Sequence, residues 1–226
     1  MPARQDQALA GAISRRILSL GANRVPEMRA FRRSLSRELA GLPGRSVVGA
    51  AAILSQIPEP WHRFISYELI RHHPKAPGCL TSRSVVRLGN GMAAWEEVDC
   101  FAPYVAGPAW RDGRIPTALV HSWARSPDRW WRRAALVSTV PLNLRSHGGR
   151  GDPGRTLAVC DLLLDDRDPM VVKALSWALR VLSTREPDRV GRYLERRRER
   201  LSALVLREVR NKLETGLKNP GKRSRR

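Results

Sequence analysis

The sequence predicts an all-α protein, a helical-repeat solenoid, and three observations carry that prediction. Apolar residues recur at helical spacing through nearly the whole chain. No stretch alternates apolar and polar residues with period two between hairpin turns, so a sheet is not expected. One helix-opening segment also returns after 40 residues, a spacing that belongs to stacked helix pairs.

Leu9, Ile13, Ile17, Leu18 and Leu20 place a one-sided helix over residues 6–20. Pro26 opens a second helix that runs to about Leu42, where Pro43-Gly44 closes it. Residues 46–56 and 59–73 read as a short apolar helix and its neighbour, ended by His73-Pro74. Residues 75–90 carry Pro, Gly and Ser and predict one short helix set in loops. Helices follow at 92–106, 115–124, 127–140, 154–165, 168–183, 187–197 and 199–215. Residues 141–155 (PLNLRSHGGRGDPGR) predict a mobile basic loop, longer than a tight helix connection requires. A single domain is expected over 1–217, with 218–226 a basic, disordered tail.

The repeat aligns Ser126–Ala134 (SPDRWWRRA) with Asp166–Ala174 (DRDPMVVKA). Each copy has a cap residue, a proline in the first turn and a cation before an alanine. Helix pairs recurring near this period are those of HEAT-like solenoids, in which each unit buries its face on the next.

Charge narrows the function. Among 226 residues, 41 Lys and Arg stand against 21 Asp and Glu, a net charge of +20, and arginine supplies nearly all of the excess. That balance attracts polyanions, nucleic acid first among them, and arginine adds forked phosphate contacts and aromatic stacking. Cys79, Cys100 and Cys160 have no paired spacing, so a disulfide framework is not expected and a reducing, cytoplasmic compartment is. The histidines form no metal-ligand motif, so neither a metal nor another cofactor is expected. No continuous apolar run reads as a signal peptide or membrane span.

Three stretches combine aromatic residues with charge. Trp95 and Asp99 lie four apart, on one helix face; taken singly, Trp95 reads as core filling and Asp99 as solvated surface. Lys173, Trp177 and Arg180 share another face, with small Ala174, Ser176 and Ala178 between them permitting close approach of a helix or a ligand. Arg129, Arg132 and Arg133 surround Trp130-Trp131, a placement suited to a phosphate groove.

In their order these stretches resemble the AlkD-like DNA alkylation repair glycosylases. The likeness rests on Trp95-x-x-Val98-Asp99, Trp130-x-x-Arg133-Ala134-Ala135 and Lys173-Ala174-x-x-Trp177-x-Leu179-Arg180, and extends over residues 20–215. It implies a HEAT-like solenoid with a concave basic groove, and a monomer acting without cofactor on duplex DNA containing alkylated purines. It also implies that Asp99 is the catalytic carboxylate, that Trp95 and Trp177 line the cleft, and that Arg133 contacts phosphate. Lys173 and Arg180 occupy matching helix positions, with Arg129 and Arg132 as further DNA-binding cations. The 141–155 loop, Trp110 and the Gly107–Gly113 stretch lack an obvious counterpart.

The implied chemistry is hydrolysis of the N-glycosidic bond. A purine alkylated at N3 or N7 is cationic and already a good leaving group. An ionised Asp99 would stabilise the oxocarbenium-like sugar and orient the water. No lysine aligns as a Schiff-base nucleophile, so the enzyme is expected to be monofunctional. Two other readings keep the basic surface: a member specialised for bulky adducts, and a noncatalytic helical-repeat protein that binds DNA or another acidic partner.

Overall fold

The computed structural model describes residues 2–21 and 24–220, and all regular structure among them is helical. Residues 221–226 of the expected basic tail lie outside the described residues. Packing divides the chain into two compact units, with the boundary between Pro116 and Thr117. No helix among the described residues is long and apolar enough to cross a membrane.

The first unit holds α1 (Pro2–Leu20), α2 (Val25–Leu39), α3 (Gly44–Leu54), α4 (His62–His72), α5 (Ser82–Gly89), α6 (Trp95–Phe101) and α7 (Gly107–Arg111). Helix α3 packs between α1 and α5, while α4 packs between α2 and α6. Two layers of alternating helices result, joined by the α3–α4 contact. Gly49 permits the close approach of α1 to α3, since a Cβ there would collide with the Asp6 carboxylate. His73, the residue after α4, donates from Nε2 to the Leu39 carbonyl and accepts the Lys75 and Ala76 amides at Nδ1.

The second unit holds α8 (Thr117–Ala124), α9 (Arg129–Val137), α10 (Val140–Asn143), α11 (Pro153–Leu162), α12 (Pro169–Leu182), α13 (Pro187–Arg196) and α14 (Ala203–Thr215). Helices α9, α12 and α14 pack in succession; α8 and α11 lie behind the first two and α13 behind the third. Three helix pairs therefore follow one another, the helical-repeat arrangement that the sequence predicts. Ala174, Ser176 and Ala178 are all buried, so it is neighbouring helices that approach α12 there.

The 40-residue repeat is reproduced bond for bond. Asp128 and Asp168 are the N-caps, accepting the amides of Trp130 and Met170, each at 2.8 Å. Ser126 and Asp166, two residues earlier, accept the cap amides themselves at 3.2 and 2.9 Å. The prolines are not equivalent: Pro169 opens α12, whereas Pro127 precedes the cap of α9.

Two segments differ from expectation. The helix expected over 92–106 begins at Trp95 and continues to Arg111 through a π-helical turn at Ala102–Ala106. Pro103 has no amide to donate, and the register widens until the Gly107 amide reaches the Ala102 carbonyl, five residues back. This extension carries Trp110, only 1% exposed, into the core.

The 141–155 segment is not a loose loop. It contains the end of α10 and a 3₁₀ turn at Arg145–His147, gathered around buried Asn143. The Asn143 amide donates to the Thr139 carbonyl and the Thr156 hydroxyl, and its carbonyl accepts the Asp152 amide. Arg185 ties the segment down through the Asn143 and Gly149 carbonyls. At Gly149 a side chain would collide with the Pro141 carbonyl, so the turn requires glycine. One buried asparagine organises the backbone around it, a contact that helical periodicity does not encode.

Candidate functional site

Trp95 and Asp99 stand one turn apart on α6 and open onto the same cleft of about 910 Å³ in the first unit. Trp95 is 48% exposed, unusual for so large an apolar side chain, and Asp99 is partly buried. Neither is the helix cap, which is Ala94. The cleft lies between the start of α6 and the start of α4, and the connection into α4 supplies the wall that the sequence did not reveal.

That wall is Trp61. At φ 74° and ψ −17° it has left-handed backbone geometry, alone in this among described non-glycine residues. For a bulky side chain the conformation costs about 1–3 kcal/mol and persists only where surroundings enforce it. His62 supplies the enforcement. Its fully buried ring donates from Nδ1 toward the Glu59 and Pro60 carbonyls, both at 3.2 Å, leaving Nε2 to accept the Ser14 hydroxyl at 2.9 Å. The 59–61 turn thus folds over a ring anchored to α1. Trp61 in turn meets Phe64 edge to face, with ring centres 5.7 Å apart.

The cleft floor is tied together by hydrogen bonds and an ion pair. Tyr67 packs on Phe101 and donates to the Leu88 carbonyl at 2.9 Å; burial pushes its pKa up to about 12. Arg63 pairs with Glu97 at 3.2 Å and donates to the Asn90 carbonyl, while Glu97 also accepts the Ala93 amide. Arg71 stacks on the ring of Tyr104 at 4.3 Å. Burial raises the Cys100 thiol to about 11, so it remains protonated near neutrality. Four carboxylates line this cleft, those of Glu59, Glu96, Glu97 and Asp99, against the guanidinium groups of Arg29 and Arg63. In a chain of net charge +20 that local balance is inverted.

The other site residues expected from the sequence lie in the second unit. Trp177 is partly exposed on α12 and Lys173 is exposed one turn before it. Arg180 bonds Ser176 at 3.2 Å and lies 3.7 Å from buried Glu208; burial lowers its pKa and Glu208 opposes that shift. Arg133 is 5% exposed and donates to the Met170 carbonyl at 2.6 Å, joining α9 to α12. Arg132 binds Asp166 at 2.6 Å, and Arg129 reaches Asp168 at 3.4 Å while lying over Trp130. These arginines therefore also hold the repeat together.

Among the described residues no group of three or more His, Cys, Asp or Glu side chains could hold a metal ion. Trp61, Phe64 and Tyr67 were legible in principle, since steps of three place them along one side of α4. The left-handed turn that aims Trp61 was not. Comparison with known proteins found no match among curated proteins and none among solved structures. Residues 23–213 match the family model described as DNA alkylation repair enzyme. With that match spanning both units and including Trp95, Asp99, Arg133 and Trp177, the chain belongs to the DNA alkylation repair enzyme family.

Proposed function

We propose that this protein is a monofunctional DNA glycosylase that hydrolyses the N-glycosidic bond of cationic alkylated purines, of the N3-methyladenine and N7-methylguanine type, in duplex DNA. The observation that carries the reading is the pairing of Asp99 with exposed Trp95 on one face of α6, opening into a cleft. Breaking the glycosidic bond of a cationic purine leaves positive charge on the deoxyribose while the base departs neutral. Asp99, as carboxylate, stabilises that charge and orients the water that completes hydrolysis. The electron-rich face of Trp95 favours the cationic base or sugar.

The second unit supplies DNA contacts in this reading. Lys173 and Trp177 present a cation and an aromatic surface on α12, and Arg129, Arg132, Arg133 and Arg180 are further phosphate contacts, the first, second and fourth of them shared with Asp168, Asp166 and Glu208. The test is single-turnover excision from oligonucleotides carrying N3-methyladenine or N7-methylguanine, with Asp99→Asn alongside. Release by the parent protein and its loss in the variant support the assignment; full excision by the variant removes Asp99 from the chemistry.

A further inference from the structure

Helix α13 carries a row of cations that the proposed reaction does not use. Residues 187–200 contain six arginines and three acids. Two of the arginines are neutralised from α11 and the turn after it: Arg197 pairs with Asp161 at 3.0 Å, and Arg200 pairs with Asp165. Glu195 is taken by Arg210 of α14 at 2.9 Å. Arg189, Arg192 and Arg196 are exposed, at steps of three and four along one side of the helix. Among the described residues none of these three side chains has a hydrogen bond or an ion pair.

Helix stability does not ask for this arrangement. Like charges three and four residues apart repel across one turn, and Arg189 sits in the first turn of α13, where the helix dipole disfavours a cation. Packing does not ask for it either, since Val190, Tyr193 and Leu194 form the buried side. The row spans about 10 Å of helix, over which duplex DNA presents about six phosphate charges. It also stands apart from the residues already given a DNA role. Lys173 and Trp177 occupy the side of α12 away from its buried Val171, Leu175 and Leu182, whereas α13 belongs to the layer of α8 and α11.

We propose that Arg189, Arg192 and Arg196 hold the phosphate backbone of a second duplex DNA segment while the first lies at α12, so that the protein passes directly from one segment to another. For the first segment this rests on the DNA contacts assigned above; it does not rest on excision. In a chain of net charge +20, a duplex held at α12 leaves the α13 row exposed to draw another polyanion. Capture of the second segment before release of the first makes departure depend on the DNA in solution, whereas simple dissociation does not.

The test follows release of a labelled, undamaged duplex from the whole protein as unlabelled duplex is added in increasing excess. The release rate should climb with competitor concentration in the parent, by at least about threefold, and stay flat when Arg189→Gln, Arg192→Gln and Arg196→Gln are combined. Affinity for a first duplex should change by less than about twofold in that variant, because exposed charges on another layer are screened. Its Tm should hold or rise, since repulsion along α13 is relieved. A parent rate independent of competitor overturns the proposal, and so does equal acceleration in the variant. Poly-glutamate covers the other class of partner: if it binds the parent through these arginines while duplex fails to speed release, the row serves an acidic protein and the proposal falls. A parent protein that excises no alkylated purine yet shows DNA-dependent release loses the glycosylase reading and keeps the second DNA face.

Discussion

The helix beginnings that border the cleft differ from four of those in the second unit. In the second unit α9, α11, α12 and α14 start at Asp128, Asp152, Asp168 and Ser202, each accepting an amide of its own first turn. In the first unit α4 and α6 start at Trp61 and Ala94 with no side-chain cap, and both starts border the cleft. Capping residues are the cheapest local device for fixing a helix end. Their absence where the cleft opens, and their repetition where helix pairs stack, separates a surface shaped for a ligand from one shaped for stability. Particular carboxylates differ in the same way. Asp161, Asp165, Asp166 and Asp168 pair with Arg197, Arg200, Arg132 and Arg129, whereas Glu59 and Glu96 stay exposed at the cleft.

The largest expected effect falls on the chemistry of the first unit. Asp99→Asn removes the charge but keeps the shape, and excision should drop by about 10²-fold or more, the scale seen when one group stabilising transition-state charge is lost. Tm should change little, because the helix does not depend on that carboxylate for its cap. A variant that loses Tm in step with activity would instead make Asp99 a structural residue, and the contrast between the units would fail.

In the second unit the strongest effect should be on folding. Asn143→Ala removes donors to Thr139 and Thr156 and the acceptor for the Asp152 amide, all in a buried setting. Unpaired buried groups cost about 1–3 kcal/mol each, so urea unfolding should show a loss of about 2–4 kcal/mol. Asp168→Ala should cost about 1 kcal/mol as a lost cap, with Arg129 released as a lesser consequence. Removing Thr81, whose exposed capping box opens α5, should cost no more than that. A larger loss at Asp168 than at Asn143 would show that the cap aspartates, rather than the buried asparagine, organise the repeat.

What the sequence disclosed divides along similar lines. Helix positions were legible because periodic burial of Val98, Leu136, Leu175 and Leu179 is written in local spacing. Asp128 and Asp168 were legible as helix openings for the same local reason. The π-turn at Pro103 and the fold of the 141–155 segment were not, because each depends on a backbone group finding a partner that periodicity does not name. Trp95 and Asp99 stood out by their spacing; the left-handed turn at Trp61 did not, because it folds over a histidine bonded to a serine 48 residues away.

The smallest expected effect separates the second unit's cations by what else they do. Lys173 is exposed, so Lys173→Ala should leave Tm within experimental error and weaken DNA binding a few-fold. If it neutralises one phosphate, the slope of log affinity against log salt should fall by about 0.9. Arg133→Ala should lower that slope only together with Tm, because Arg133 also holds α9 against the Met170 carbonyl of α12. Arg133→Lys gives the control: a lysine retains the charge but lacks the fork, so a restored slope with a lowered Tm assigns the charge to DNA and the geometry to the repeat. Should Lys173→Ala leave the slope untouched while Arg133→Lys fails to restore it, the cations of α9 and α12 serve the fold and DNA is held by other residues.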